Sequence, residues 1–335
     1  MKPLISILAF IVFLFALSAV FNSVKDDRLQ EEFRPTKESQ GGAMQKITPF
    51  LWFNDNAEEA IAFYTAIFKN SKVREIVRYG KAGPGKEGSM MTGTFELAGR
   101  QFMALNGGPQ FKFSPAISFF VHCPTEPEIN ELWRKLTEGG MVLMELDAYP
   151  FSKRFGWVED RFGLSWQLSL TGSERKIIPF LMFVGKQHGK AEEAMRYYAS
   201  IFKNSSIMKI ERWGKGDQEP EGKVKHATFS LDNVEFMTME SSYDHPFTFT
   251  PATSFFVSCK TQAEIDFFWE RLSDGGKIEQ CGWLQDRYGV SWQIVPTVLG
   301  ELLHDKDPER SQRVMQAMLG MKKLDMKQLE EAYQR

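Results

Sequence analysis

Apolar residues follow two alternating periodicities along this chain. The run Ile47 to Phe53 is short enough for a strand, whereas Ala57, Ala60, Ile61, Tyr64, Ile67 and Phe68 recur at helical spacing. Asn56 stands where a helix N-cap is expected. Glu58 and Glu59 complement the positive end of the helix, and Asn70-Ser71 closes it. Val73 to Tyr79, Met90 to Leu97 and Gln101 to Leu105 then read as strands, the last two joined by a turn at Ala98-Gly99. A strand at Ile117 to His122 and a helix at Glu126 to Leu136 follow, stopped by Gly139-Gly140, with strands near Arg154 to Val158 and Leu164 to Leu170. The order is βαβββ, twice.

The whole pattern then recurs. Ile47-Thr-Pro-Phe-Leu-Trp-Phe53 matches Ile177-Ile-Pro-Phe-Leu-Met-Phe183, and Ala57-Glu-Glu-Ala60 matches Ala191-Glu-Glu-Ala194. Ser118-Phe-Phe-Val121 matches Ser254-Phe-Phe-Val257. The segment from Gly156-Trp157 to Trp166-Gln167 matches that from Gly282-Trp283 to Trp292-Gln293. Such self-similarity fixes the architecture before local propensity does. Two homologous domains are expected, at 44–170 and 176–297, with a linker at 171–175 and a helical tail at 298–335. The ten-residue excess of the first copy, around Leu146 to Arg154, is expected as a longer loop.

Ahead of the repeat, Lys2 precedes an uncharged run from Leu4 to Phe21, which reads as a signal peptide or membrane anchor over 1–24, with a polar linker at 25–43. The domains are therefore expected outside the cytoplasm, membrane-anchored if the run is kept and secreted or periplasmic if it is cleaved. With 41 Lys plus Arg against 43 Asp plus Glu, no basic excess exists to neutralise a phosphate backbone, so nucleic acid is not an expected partner. Three cysteines, Cys123, Cys259 and Cys281, are too few for a disulfide framework. Cys123 and Cys259 occupy equivalent positions and read as small core sites, while Cys281 is the better candidate for reactivity.

The motifs Pro49-Phe-Leu-Trp-Phe53, Ala57-Glu-Glu-Ala60 with Phe63-Tyr64, Met103-Ala-Leu-Asn-Gly-Gly-Pro109 and Cys281-Gly-Trp-Leu-Gln-Asp-Arg-Tyr-Gly-Val-Ser-Trp-Gln-Ile-Val-Pro296 resemble PhnB-like domains of the vicinal oxygen chelate superfamily. The particular group is the one labelled 3-demethylubiquinone-9 3-methyltransferase. The resemblance implies an α+β fold of two tandem domains, each a pair of βαβββ modules forming a curved mixed sheet, preceded by the N-terminal apolar helix. It also implies a divalent metal held by His and Glu from the first, fourth, fifth and eighth strands. Here the first-strand position falls near Pro49 and Pro179, and the eighth near Gln167 and Gln293. Proline has no donor and a neutral amide binds a cation weakly, so no metal and no cofactor are expected. Glu240, whose counterpart is Asn106, reads as a solvated strand-end residue. The Gly83 to Gly88 segment matches a nucleotide-loop pattern but precedes a strand, and so does not read as an S-adenosylmethionine site.

Alternation places Ser291 and Gln293, like Ser165 and Gln167, on one strand face, where they line a pocket or else pair inside the sheet. Trp157 and Trp283 wall the same pocket or belong to the core. Asp160-Arg161 and Asp286-Arg287 read as turns with a local ion pair, and His226 as a satisfied sheet histidine. No catalytic residue is assigned, and the sequence leaves open whether the chain is an enzyme. The leading expectation is an exported protein that binds an unidentified small molecule. The alternatives are an enzyme of the superfamily and a structural pair with vestigial pockets. Beyond that ligand, the membrane is a partner if the N-terminal segment is retained, and a dimer is compatible with the pattern.

Overall fold

The computed structural model describes residues 45–79, 86–303, 305 and 307–335. The expected export segment and linker, 1–43, lie outside these residues, as does the start of the Gly83 to Gly88 loop. Among the described residues no helix is long and apolar enough to cross a membrane.

Four βαβββ modules follow one another. The first comprises β1 (Ile47–Phe53), α1 (Ala57–Ile67), β2 (Lys72–Arg78), β3 (Met90–Leu97) and β4 (Arg100–Asn106). The second comprises β5 (Ile117–Cys123), α2 (Glu126–Thr137), β6 (Met141–Tyr149), β7 (Ser152–Glu159) and β8 (Ser165–Leu170). The third comprises β9 (Ile177–Phe183), α3 (Ala191–Ile201), β10 (Ser206–Arg212), β11 (Val224–Leu231) and β12 (Val234–Glu240). The fourth comprises β13 (Thr253–Cys259), α4 (Gln262–Ser273), β14 (Lys277–Ile278), β15 (Trp283–Gln285) and β16 (Ser291–Pro296). Three helices, α5 (Val298–Leu303), α6 (Pro308–Leu319) and α7 (Met326–Gln334), make up the tail.

The modules pair across the repeat, not within it. Sheet I runs β14-β15-β16-β13-β1-β4-β3-β2 and joins the first module to the fourth. Sheet II runs β10-β11-β12-β9-β5-β8-β7-β6 and joins the third to the second. The joints are antiparallel, β1 to β13 with Phe50 opposite Ser254, and β5 to β9 with Ser118 opposite Phe180. This corrects the expectation that each domain owns one sheet. The sequence could not separate the two pairings, because β5 and β13 carry the same Ser-Phe-Phe-Val run and offer β1 equivalent edges. Each half nevertheless keeps its own hydrophobic core. In the first, Leu51, Phe53, Ala60, Tyr64, Phe102, Phe119, Leu132 and Trp166 pack α1 and α2 between the two sheets. The second does the same with Phe183, Tyr198, Phe236, Phe255, Leu272 and Trp292. The excess of the first half forms no loop: it lengthens the β6–β7 hairpin, which the counterpart β14 and β15 shorten to two and three residues.

The side chain of Asn56 does not cap α1. Asn106 does so from β4, its Oδ1 accepting from the Ala57 N–H at 2.8 Å while its Nδ2 donates to the Met90 carbonyl at 2.9 Å. Glu240 fills that place in the second half: it accepts from the Ala191 N–H at 2.8 Å and the Val224 N–H at 2.9 Å, and is 2% exposed. The expected solvated glutamate is thus a buried helix cap, favoured by the positive end of α3.

Candidate functional site

Alternation gives each central strand one side packed on the helices and one facing away. On β9, Ile177, Leu181 and Phe183 enter the cores, so Ile178, Phe180 and Met182 face away. Pro49 and Pro179 share the packed side with Ile47 and Leu51, and with Ile177 and Leu181. They are therefore not the positions at which a first-strand ligand would stand, since an offset of one residue reverses the face.

On the away-facing side of sheet II, Ile178, Phe180, Met182, Val184 and Met237 form a floor against which Phe120, Trp157, Met239 and Phe247 pack. Ile178 and Ser118 are wholly buried on this face. Phe247, from the loop after β12, packs against one side of this face, the candidate groove of sheet II. Gln167 lies between Phe120, its partner on β5, and Trp157, its partner on β7. Its Nε2 donates to Ser118 Oγ at 2.9 Å. Trp157 is oriented by Nε1, which donates to Ser165 Oγ at 2.8 Å. Of the expected site residues, Ser165, Gln167 and Trp157 thus come together in sheet II, with Ser118, Phe120, Phe180, Met237 and Met239, which sequence reasoning did not single out. The alternation Ser118, Phe120, His122 carried the signal for the first two.

The groove carries little charge. His122 and His226 sit half-buried on the same face, their rings 5.4 Å from Phe120 and 6.0 Å from Phe180, and burial lowers both pKa values below the usual imidazole range. His226 pairs with Glu211 in the β10–β11 ladder, and its ring lies against Phe180. Glu235, at the groove's edge, pairs with Lys176 at 3.4 Å.

Sheet I carries the equivalent residues under a cover. Gln293 Nε2 donates to Ser254 Oγ at 3.0 Å, and Ser291 stands beside them on the β16 register. Trp283 meets Phe50 and Trp52 edge-on, at 6.0 and 6.1 Å. Over this face lie Leu299, Leu302, Val314, Met318, Met321, Leu324 and Leu329 of the tail, which pack with Phe50, Trp52, Leu105, Trp283 and Val295 in one cluster. Backbone bonds fix the cover, with Cys281 N–H donating to the Met321 carbonyl at 2.8 Å and Gly282 N–H to that of Lys322 at 2.7 Å. Gly282 has φ 83°, and a Cβ there would stand 2.7 Å from the Ile294 carbonyl oxygen, so the approach needs glycine. Cys281 consequently lies buried beneath the tail, its thiol pushed up to about 12 by desolvation. The reactivity expected of it from sequence is not what this burial favours.

The paired aspartates do not form ion pairs with the arginines that follow them. Asp160 Oδ2 accepts from Tyr64 Oη at 2.7 Å and Trp166 Nε1 at 2.8 Å, and its Oδ1 accepts from the Phe162 and Leu164 N–H groups. Arg161 turns outward to Glu59 and lies over the rings of Phe63 and Phe162, and Arg287 bonds Asp274. The aspartates pin each turn to its domain core.

The superfamily metal does not fit these residues. On the first-, fourth-, fifth- and eighth-strand equivalents of sheet II the away-facing side chains at the centre are Ile178 and Phe180, Met237, Phe120 and Gln167, with Glu235 and His122 toward the edge, where Glu235 pairs with Lys176. Among the described residues no group of three or more His, Cys, Asp or Glu is placed to hold a metal ion. The central apolar and neutral-amide groups offer a divalent cation no charge to offset its lost hydration, and His122 and Glu235 alone do not complete a ligand set.

The family model described as 3-demethylubiquinone-9 3-methyltransferase matches residues 45–169 and again 175–295. The chain is similar to the PhnB protein from Bacillus cereus, with 49% identity over 38% of this chain and 100% of that one, at a TM-score of 0.37. It is also similar to a Staphylococcus aureus protein, with 35% identity over 37% of this chain and 95% of that one, at a TM-score of 0.17. Glyoxalase I from Zea mays is 10% identical over 73% of this chain and 89% of its own, at a TM-score of 0.48. No curated protein is similar enough to match the chain. The chain belongs to the PhnB-like family that carries the 3-demethylubiquinone-9 3-methyltransferase description, and contains two copies of its domain.

Proposed function

We propose that the protein binds a small molecule in the groove of sheet II, and that the equivalent face of sheet I is given over to its own C-terminal helices. The observation that carries this reading is the difference between two sheets of the same strand order. One face is filled by Met318, Met321 and Leu324, and the other presents an apolar floor, two half-buried aromatic rings and the Gln167 amide, in a cluster that no tail residue joins. Concave apolar surfaces with a few convergent polar groups are where small ligands bind. Methyl transfer, which the family description names, would need a site for the methyl donor beside a reacting group such as His122 or His226, and the floor between them is apolar. The binding reading is therefore preferred to an enzymatic one. Crystals soaked with small cyclic compounds such as indole and cyclooctanol should show density between Phe120, Gln167 and Trp157. Density confined to other surfaces would remove the proposal.

The location of this binding is a second part of the proposal. The uncharged run from Leu4 to Phe21 behind Lys2 favours an exported protein, anchored or processed. Mass spectrometry of the native N-terminus tests it. A membrane-associated chain starting at Met1 would indicate the anchor, and a start near Ala19 a cleaved signal, whereas a full-length soluble chain confined to the cytoplasm would reject both.

A further inference from the structure

Val158 enters the first core, and a Cβ on Gly156 would stand 2.5 Å from the ring of Trp133 on α2. Phe155, Trp157 and Glu159 therefore turn the other way along β7, onto the groove face of sheet II. Glu159 lies opposite Ser165 on β8 and Met141 on β6, about 7 Å along the strand from Trp157. The indole leans toward it, because Trp157 Nε1 donates at 2.8 Å to the hydroxyl of that same Ser165. Glu159 is half-buried, and among the described residues neither a hydrogen-bond donor nor a cation meets its carboxylate. Arg161, two residues on, turns instead to Glu59 and the rings of Phe63 and Phe162. Partial burial, with the Asp160 carboxylate beside it, raises the pKa of Glu159. Across the sheet, by contrast, Glu235 is compensated by Lys176 and Glu211 by Lys209. Sheet I carries the neutral Gln285 at the equivalent place, where its amide donates to the Gly289 carbonyl at 3.1 Å. The uncompensated charge thus stands on the face outside the tail's cluster and is absent from the face that the tail fills.

We infer that the groove of sheet II takes a ligand bearing a positively charged nitrogen, held at the end of β7 by the carboxylate of Glu159 and the face of the Trp157 ring. The inference rests on the binding reading above and adds the charge of the ligand. An ammonium group supplies the counter-charge that Glu159 lacks, and hydrogen bonds between two charged groups are about twice as strong as neutral ones. An indole face attracts a cation lying within about 6 Å of its centre. An anion meets repulsion at Glu159 and no help from the two imidazoles, since burial lowers the pKa values of His122 and His226 and leaves them neutral at pH 7.

Three probes share a phenyl ring and differ in charge: 2-phenylethylamine, a cation at neutral pH, the neutral 2-phenylethanol, and the anion 3-phenylpropanoate. Calorimetric titration of the full chain at low salt should find the amine about five- to tenfold tighter than the alcohol, with the anion weakest. Salt at about 1 M should narrow that preference, because Glu159 is only half-buried. Glu159→Gln, which installs the residue that sheet I already carries there, should bring amine and alcohol level without weakening the alcohol. In nitrogen-15-labelled protein the indole N–H signal of Trp157 should move as the amine binds. Equal affinity for amine and alcohol, or a preference that survives Glu159→Gln, would overturn the inference. The groove would remain the binding site in that event if the alcohol still moved the Trp157 signal. An amine that bound without moving Trp157 would place the cation elsewhere and overturn the inference as well. Failure of all three probes to bind at millimolar concentration would overturn it together with the binding reading.

Discussion

Removing one hydroxyl, by Tyr198→Phe, should destabilise the second half by an amount that depends on pH. Asp286 is fully enclosed and accepts four hydrogen bonds, from Tyr198 Oη at 2.6 Å, Trp292 Nε1 at 2.8 Å, Tyr288 N–H at 2.8 Å and Val290 N–H at 3.1 Å. Burial raises its pKa from 3.8 to about 6, although all four donors favour the carboxylate. A carboxyl whose pKa is higher folded than unfolded stabilises the fold most when protonated, so its contribution is full below pH 3.8 and lost as pH rises through about 6. The whole interval corresponds to about 3 kcal/mol. Above it the site is ionised, and deleting Tyr198 Oη removes a charge-assisted bond that contributes about 1.5–3 kcal/mol. Below it the same deletion removes a neutral bond of about 0.5–1.5 kcal/mol. Urea unfolding should therefore show a loss near 2 kcal/mol at pH 8 and near 1 kcal/mol at pH 4.5, with an unchanged m-value. Tyr64→Phe, which deprives Asp160 of its 2.7 Å bond, should behave alike in the first half. Equal losses at the two pH values, or a larger loss at pH 4.5, would refute the reasoning.

Other consequences follow from the tail and the buried thiols. Leu324→Ala, at a fully buried position of the tail, should cost about 2–5 kcal/mol by urea midpoint, and a loss under 1 kcal/mol would mean that the tail is not anchored on sheet I. Cys123, Cys259 and Cys281 are all buried, with pKa values pushed up to about 12. A thiol reagent at pH 8 should find none in the native protein and all three in urea, and one fast native thiol would contradict the placement of Cys281. Elemental analysis of protein purified without chelator should find less than one divalent metal per chain, and one tightly held ion per domain would show that the donor set has been misassigned.

The order of strands and helices was legible because period-two and helical apolar patterns differ sharply in segments such as Ile47 to Phe53 and Ala57 to Phe68. Two tandem copies were legible from Ser-Phe-Phe-Val and Ser-Trp-Gln alone. The partner of β1 was not, since strand pairing across a duplicated sequence is degenerate and only the three-dimensional packing chooses β13 over β5. The strand Met141–Tyr149 escaped notice because it is an edge strand with mostly exposed residues and no clean alternation. Gln167 and Gln293 were visible as a pair, but their different fates were not. The difference lies in the tail, whose apolar spacing predicts a helix and says nothing of which face it covers. Asp160 and Asp286 were misread for a related reason: an Asp-Arg dipeptide suggests an ion pair, whereas the donors here come from Tyr64 and Tyr198, far off in the sequence.

The account turns on one groove being available and the other filled, and the methionines report on both. Met237 and Met239 sit in sheet II's groove, while Met318 and Met321 belong to the tail over sheet I. With methionine methyl groups labelled with carbon-13, titration with indole should shift the signals of Met237 and Met239 and leave those of Met318 and Met321 in place. Shifts that appear first at Met318 and Met321, or at neither pair, would contradict the account.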